Sequence, residues 1–290
     1  DYIVDFYNRN ITHANMGYDF KAADSGLNVK IDWPSSDLEM IEASVNDYIN
    51  SKEPFHAYYM TFSGHYQYNW DNAMSAKNKA AVEDLPYSEP VKAYIACNLE
   101  LEYALQYLMQ QLEAAGVRVV VSDAQDIEGT YTAISMIGEL VGRQAEAASI
   151  VESMQKTFDE IRANAGDGTK SVYFEVSPLQ YGLWTAGSGT FMDEIANMLG
   201  LTNCFADVTG WGEISEEQVL ERNPDYIVTI SMYYGEGPTP EEEILSRTGW
   251  ENVTAVKNGK ILNLPNNELS RPAPRLADGA KALYDFVYGE

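Results

Sequence analysis

The chain has 290 residues, enough for two domains of roughly 100–150 residues each, and its 45% hydrophobic content is ordinary for a globular protein. Its formal net charge of −25 at pH 7 repels phosphate backbones and anionic membrane surfaces, which argues against nucleic acid as a partner. A cationic or metal-bearing ligand stays compatible with this charge. Because the acidic residues are scattered rather than clustered, solubility alone also accounts for it.

The front of the chain is predicted to contain three helices and one strand. The serine pair 35–36 can cap a helix that ends near residue 50. The aromatic-rich run 55–62 is typical of a strand. Apolar residues at helical spacing then predict a short helix over 73–81 and a long one over 90–115.

The middle of the chain is predicted to be a buried strand followed by one long helix. The β-branched run 117–121 is typical of a strand buried on both faces of a parallel sheet. Helical spacing of apolar residues continues from about 130 to 165, with a break at Gly142. At 1.5 Å per residue such a helix spans on the order of 50 Å, which is the length of a connector between two domains.

The back of the chain alternates strands with helices. The predicted elements are a strand over 171–176, helices over 189–199 and 215–222, a strand over 226–230, and a hairpin that leads into a last strand near residue 260. This alternation argues for a parallel α/β lobe. The arrangement builds one side of a binding cleft and contains no catalytic residues.

The loop 177–187 is the first candidate for ligand contact, because ligands of open α/β sheets bind beyond the carboxyl ends of the strands. Tyr181 and Trp184 in this loop combine apolar area with a polar group. The alternative for Trp184 is packing against the following helix. Residues 188–190 open that helix and either bind an anion with their backbone N–H groups or serve only as its cap.

A short segment, 271–275, concentrates positive charge in this acidic chain. Its prolines keep the backbone extended and fix the spacing between Arg271 and Arg275. Either arginine could bind a carboxylate of a ligand. The alternative is an ion pair with one of the chain's own acids, which is favoured for Arg275.

The cysteines and the hydropathy carry little functional signal. Cys97 and Cys204 lie far apart, with no Cys-x-x-Cys or Cys/His motif, so both are predicted to be packed small hydrophobes rather than metal ligands or a disulfide. The sequence contains no run of about 18 apolar residues, so it predicts no membrane-spanning helix. The chain opens without a basic start and an apolar segment, as a mature or truncated exported protein also would.

Several short segments of the back part occur in a familiar order. They are residues 123–129, 137–143, 185–191, 217–220, 223–225 and 271–275. Through them, residues 116–290 resemble the ABC-transporter substrate-binding proteins of the vitamin B12, haem and iron-siderophore class. The resemblance implies the class III fold, an α/β protein whose parallel-sheet lobes with flanking helices are joined by one long helix. It also implies a ligand held in a cleft between the lobes.

The same resemblance implies that acidic residues dock onto arginines of an ABC permease, and Glu217 matches the acidic position of the second lobe. Glu217 would also stabilise a helix N-terminus as a carboxylate, and both roles can hold together. No cofactor, metal site or catalytic residue is expected. The membrane would be reached only through a lipid anchor that this chain lacks, as in an extracytoplasmic lipoprotein.

The front part carries a different likeness, through residues 58–66, 72–74, 87–88 and 93–100. It resembles a fragment of the lipoteichoic-acid-synthase-like sulfatases of the alkaline phosphatase superfamily. In that family His65 would match a histidine that contacts the substrate head group. The family's metal-binding nucleophile and metal-binding histidine have no counterpart here, so transfer chemistry lacks its metal cluster.

The expected organisation is therefore a sulfatase-like α/β front lobe over 1–116, a strand and connecting helix over 117–166, and a C-terminal binding lobe over 167–290. The expected function is capture of an iron-siderophore, haem or corrinoid ligand for an ABC importer on the bacterial cell surface or in the periplasm. Tyr181, Trp184, Arg271, Arg275 and His65 are the expected ligand contacts. The alternatives are a metal-dependent sulfatase or phosphoglycerol-transferase-like enzyme, and a functionless hybrid joined at 112–117.

Overall fold

The chain divides into two units, residues 1–121 and 122–290. The computed structural model describes residues 8–23, 25–233 and 235–289. The first seven residues of the expected front lobe thus lie outside the described part of the chain. The roles expected of the two parts as lobes of one cleft stay predictions.

The front unit is built on one long helix. Its helices are α1 (Arg9–Asn15), α2 (Asp37–Ser44), α3 (Ala73–Lys77) and α4 (Glu89–Ala114), with 3₁₀ turns at Val45–Asp47 and Lys79–Ala81. Both α2 and α3 pack against α4. The Ser36 hydroxyl accepts the Glu39 N–H at 3.1 Å and caps α2, as predicted. The predicted helix to residue 50 is shorter, because it tightens into the 3₁₀ turn.

The predicted strand over 55–62 is wrong, and the described residues of the front unit contain no β-strand. The expectation of an α/β front lobe is therefore corrected. A strand needs a neighbouring backbone to pair its N–H and C=O groups, and side chains supply partners here instead. Buried Asp37 accepts the Phe62 and Ser63 N–H groups at 2.7 and 3.1 Å, and the Tyr59 hydroxyl lies 2.8 Å from that of Tyr48.

The predicted buried strand over 117–121 is also absent, because no strand pairs with it and its side chains face solvent. Val117, Val120 and Val121 are 40%, 48% and 73% exposed. Its β-branched residues suit a strand locally, but burial depends on a neighbour that local sequence does not specify.

The predicted connecting helix is two helices, α5 (Ile127–Leu140) and α6 (Gln144–Ala163), packed against each other. Gly142 ends the first with a φ of +69°, which favours glycine because it has no Cβ. Tyr131 near the start of α5 shares a core with Phe158 and Ile161 near the end of α6, so the pair forms an antiparallel hairpin. No single helix on the order of 50 Å long spans residues 127–163.

The second unit contains a six-stranded sheet. Its strands are β1 (Lys170–Ser177), β2 (Trp184–Ala186), β3 (Leu201–Asn203), β4 (Trp211–Glu213), β5 (Tyr226–Thr229) and β6 (Ile261–Asn263). The order is β4-β2-β1-β5-β6, and β3 lies beside the first half of β1. Strands β3, β1, β5 and β6 pair in parallel, whereas β2 and β4 add an antiparallel edge.

Helices cover both faces of this sheet. They are α5, α6, α7 (Phe191–Met198), α8 (Glu216–Arg222), α9 (Pro240–Leu245), α10 (Thr254–Lys257) and α11 (Arg275–Tyr288). Along β1, Val172 and Phe174 join the core that contains α6, α7 and α11, while Tyr173 joins the core that contains Trp250. Successive side chains of a strand point to opposite faces, so one short apolar run supports both cores.

The last part of the sheet differs from the predicted hairpin. Strand β6 pairs in parallel with β5, and the connection between them runs through α9 and α10. Parallel neighbours require a crossover rather than a tight turn. The remaining helix and strand predictions of the back part, including β1, β5, α7 and α8, are confirmed within a few residues.

Both cysteines are free; Cys97 is buried and Cys204 is partly buried. Burial raises the pKa of both thiols and disfavours the reactive thiolate. The prediction that they pack as small hydrophobes is confirmed.

A buried carboxylate makes the front unit sensitive to acid. Glu100 is fully buried and accepts hydrogen bonds from Lys77 at 2.7 Å, from Asn78 at 3.0 Å and from Ser36. Burial by itself raises the pKa of Glu100, but these hydrogen bonds outweigh it and lower the pKa overall. The ionised carboxylate therefore stabilises this unit above its unfolded-state pKa of about 4.3.

We expect Glu100→Gln to cost about 1–3 kcal/mol of stability at pH 7, since the hydrogen bonds to a charged acceptor are lost. The difference in unfolding free energy between the wild type and this variant should shrink as the pH falls below about 4.3 and through the lowered folded-state pKa of Glu100. Urea unfolding at pH 7, 5, 4 and 3 measures the gap. Glu102→Gln, exposed on the same helix, is the control, and an unchanged gap at pH 3 would contradict the assignment.

Candidate functional site

A cavity of about 740 Å³ opens in the second unit beyond the carboxyl ends of β1 and β5. Glu175 and Val176 lie at the end of β1 and line the cavity. Ile230 and Ser231, which directly follow β5, also line it, as does Asn266, which follows β6. This is the edge at which open α/β sheets bind their ligands. The volume lies within the range of small-molecule sites.

The loop after β1 brings Tyr181 to the cavity. Pro178 leaves the strand in an extended conformation, a 3₁₀ turn spans Leu179–Tyr181, and Gly182 reverses the chain with a φ of +87°. Gly182 is suited to this conformation because it has no Cβ. The Tyr181 side chain is 76% exposed, so its ring is available to a ligand.

The loop after β5 supplies the opposite wall. Met232 and Tyr233 are 72% and 46% exposed and line the cavity beside Glu236. The loop ends at α9, where Thr239 and Glu242 form a capping box with distances of 3.2 and 2.9 Å. This cap fixes the start of the helix that carries Glu243 into the cavity wall.

Two lining carboxylates, Glu175 and Glu243, share one buried partner, Arg247, which lies behind the cavity wall. The Arg247 guanidinium donates to both carboxylate oxygens of Glu175, at 2.7 and 2.9 Å. It also donates to both oxygens of Glu243, at 3.0 and 2.5 Å. The side chains of Arg247 and Glu175 are 2% and 1% exposed, which makes this a buried ion pair with a third, half-exposed member.

Burial and pairing act against each other in this cluster. Burial by itself lowers the pKa of Arg247, but its hydrogen bonds to Glu175 and Glu243 raise that pKa overall, so the guanidinium is always charged. Burial raises the pKa of Glu175, and the hydrogen bonds from Arg247 oppose that shift. The paired arrangement keeps a carboxylate in the interior of the sheet.

Trp250 connects this cluster to α8. The Arg247 guanidinium carbon lies 4.5 Å from the centroid of the fully buried Trp250 ring, within cation–π distance. The Trp250 indole N–H donates to Glu216 at 2.8 Å. Glu216 therefore points into the unit, whereas its neighbour Glu217 is exposed.

Of the predicted ligand contacts in the second unit, Tyr181 lines the cavity and the other three do not. Trp184 begins β2 opposite Glu213 and is 40% exposed. Arg271 and Arg275 are exposed, and neither forms an ion pair with another described residue, so the pairing favoured for Arg275 is not found there. Ligand contact by these residues stays a prediction.

Residues 188–190 prove to be a cap. The Thr190 hydroxyl accepts the Asp193 N–H at 3.2 Å at the start of α7. The Ser188 hydroxyl donates a hydrogen bond to the backbone carbonyl of Val208 at 3.1 Å.

His65 lies in the front unit, where it lines a separate cavity of about 450 Å³ with Trp33 and Phe62. Its ring is 5.1 Å from both of these aromatic rings, centroid to centroid. A role for His65 in ligand binding stays a prediction.

Glu217 lies in the first turn of α8, and its pKa is lowered by a hydrogen bond to the Ser215 side chain. The carboxylate thus stays ionised at neutral pH, as a docking contact to a cationic surface requires.

Glu175, Glu243 and Arg247 are not among the residues predicted from the sequence. A signal exists for Glu175, since a carboxylate interrupts an otherwise apolar strand and implies a buried partner. Which basic residue that partner is cannot be read locally, because Arg247 lies 72 residues away.

Among the described residues, no group of three or more His, Cys, Asp or Glu side chains could hold a metal ion. None of the described helices is both long and apolar enough to span a bilayer.

A family model described as periplasmic binding protein matches residues 103–268, more than half of the chain. An uncharacterized ABC transporter substrate-binding lipoprotein of Bacillus subtilis is 34% identical over 185 residues, covering 62% of this chain and 57% of its own length. A cobalamin-binding protein of Halobacterium salinarum is 28% identical over 176 residues, covering 58% of this chain and 46% of its own. The chain thus spans about half the length of these relatives.

Solved structures agree with these matches. A possible iron-binding periplasmic solute-binding protein of Staphylococcus epidermidis has 33% identity and a TM-score of 0.54, over 64% of this chain and 72% of its own. An ABC-type Fe³⁺-hydroxamate transport system of Saccharomonospora viridis has 25% identity and a TM-score of 0.53, over 62% of this chain and 64% of its own. None of these matches supports the sulfatase resemblance or a hybrid origin. The chain, with its mixed α/β sheet and flanking helices, belongs to the periplasmic binding protein family.

Proposed function

We propose that this protein is the solute-binding component of a bacterial ABC importer and captures an iron-siderophore, haem or corrinoid ligand outside the cytoplasm. The observation that carries the proposal is the cavity of about 740 Å³ at the carboxyl ends of β1 and β5. Family membership and the names of the relatives support it, since these proteins are described as a possible iron-binding protein, an Fe³⁺-hydroxamate transport system and a cobalamin-binding protein.

The geometry favours binding over catalysis. The described lining of the cavity offers aromatic and apolar side chains together with three carboxylates and no Ser, Cys or His set that is arranged as a nucleophile and base. Exposed Tyr181, Met232 and Tyr233 present wide, adaptable apolar surface. Such a lining suits a bulky ligand that is held and then released unchanged.

Ligand binding should be visible as stabilisation of the full chain. In a panel of haem, cobinamide and ferric hydroxamate siderophores, the cognate class should raise the free energy of unfolding by about 2.7 kcal/mol at a hundredfold excess over its Kd. Thermal unfolding measures this shift. Tyr181→Ala should reduce it, whereas Tyr87→Ala, an exposed tyrosine of the front unit, should not. A panel in which no class shifts the transition contradicts the proposal.

Docking onto the permease is proposed for the exposed face of α8 around Glu217. Glu217→Lys should lower ligand-stimulated ATP hydrolysis by the reconstituted cognate ABC importer about tenfold, because a carboxylate facing arginines becomes a like charge. Ligand affinity should stay unchanged. Glu152→Lys makes the same charge change on the exposed surface of α6 and is the control. Equal losses in both variants would point to net charge rather than to a specific contact.

A further inference from the structure

The charge of the cavity lining has one sign. Its described ionisable members are Glu175, Glu236 and Glu243, and none of the described lining residues is Lys, Arg or His. Arg271 and Arg275, the expected partners of an anionic ligand, are absent from this lining. A ligand that enters the cavity therefore meets no positively charged side chain among the described lining residues.

Arg247 does not reverse this sign. Four of its N–H···O hydrogen bonds go to the two carboxylates of Glu175 and Glu243, and one face of its guanidinium lies over Trp250. One guanidinium thus compensates two carboxylates. Since the Arg247 side chain is 2% exposed, its remaining donor capacity is not offered to the cavity.

Glu236 has a different position from the two paired acids. It lies in the loop between β5 and α9 and is exposed at the cavity wall. An exposed carboxylate can form a charge-assisted hydrogen bond with an ammonium or another cationic group of a ligand at little desolvation cost. The net charge of −25 on the chain adds an attraction of the same sign at longer range.

We infer that this cavity selects ligands that carry a net positive charge or a free ammonium group, and disfavours anionic chelates, with Glu236 as the exposed determinant. The inference rests on the proposed function and narrows its ligand class. Among the three classes it favours hydroxamate complexes with an amine and cationic corrinoids, and it disfavours haem, whose two propionates are anionic.

The test compares two charge forms of each class on the full-length protein by equilibrium titration. The pairs are a ferric linear trihydroxamate with a free terminal amine and its N-acetylated form, diaquacobinamide and dicyanocobinamide, and haem and its dimethyl ester. In any class that binds, the more positive member should bind about fivefold tighter or more, and the difference should shrink as salt is raised from 0.05 to about 0.5 M.

Glu236→Gln should weaken the more positive member by about two- to fivefold and leave the neutral partners, the N-acetylated trihydroxamate and dicyanocobinamide, unchanged. Glu221→Gln, an equal change of net charge at an exposed site on α8, is the control and should change neither. Equal affinity within the pairs, or tighter binding of the more negative member, overturns the inference and leaves the proposed function standing. If no member of any pair binds, the proposed function fails and the inference fails with it.

Discussion

Replacing Arg247 with methionine should lower the free energy of unfolding of the 122–290 unit by about 3–5 kcal/mol. The substitution removes the partner of Glu175, whose side chain is 1% exposed, and leaves an uncompensated carboxylate in the interior. It also removes the guanidinium that lies over Trp250 and the two bonds to Glu243. Urea unfolding at pH 7 measures the loss in the transition of this unit.

Two variants make the interpretation specific. Lys281→Met breaks an exposed ion pair to Asp285 and should cost no more than about 1 kcal/mol. The double variant Glu175→Met with Arg247→Met should recover most of the loss, because a buried pair replaced by apolar side chains is often neutral. A single Arg247→Met variant as stable as the wild type would mean that this pair is not buried in solution.

Phe158→Ala should destabilise the same unit by about 3–5 kcal/mol, which is the usual cost of truncating a fully buried aromatic side chain. Phe158 is 0% exposed on α6 and joins Tyr131 of α5 to Val172 and Phe174 of β1 in one core. The effect is expected only if the α5–α6 hairpin packs on the sheet.

The control for Phe158→Ala lies on the same helix. Ile150 is 40% exposed, and Ile150→Ala should stay within about 0.5–1 kcal/mol of the wild type. Similar small losses in both variants would indicate that α6 stands apart from the sheet, as the single connecting helix expected from the sequence would.

The sequence predicted best where an element's own pattern decides its state. The centres of strands β1 and β5 are apolar and rich in β-branched and aromatic residues, and α4 carries apolar residues at helical spacing, so the type of each element follows locally. The runs 55–62 and 117–121 have the same local character but no neighbouring strand, and neither forms a strand. Their state depends on pairing, which local propensity does not encode.

The sequence predicts the break between α5 and α6, but it does not predict that the chain reverses direction there. Gly142 marks an interruption in the helical pattern, and a glycine there is compatible with either a bend or a full reversal. Reversal follows from contacts that are distant in sequence, such as the core shared by Tyr131 and Phe158. Packing at the hairpin is tight, since a Cβ on Gly138 would lie 2.3 Å from that of Ala147.

The candidate site was predictable in position and not in charge. Tyr181 follows a buried parallel strand, so the general rule for open α/β sheets places it near the ligand edge. The arginines drew attention because positive charge is rare in this chain, yet the described cavity lining contains carboxylates instead. The Glu175–Arg247–Glu243 arrangement could not be predicted because Glu175 lies far from the other two residues in sequence.

The central claim is that a small molecule occupies the cavity beyond β1 and β5, and a cavity-blocking variant tests it most directly. Ser231 lines the cavity and is partly buried, so Ser231→Trp should fill the space that the ligand needs. Ser153→Trp places the same side chain on the exposed face of α6 as a control. Calorimetric titration with the class that stabilises the wild type gives the answer. We expect one equivalent bound by the wild type and Ser153→Trp, and at least about a hundredfold weaker binding by a folded Ser231→Trp. Undiminished binding by Ser231→Trp would contradict the account.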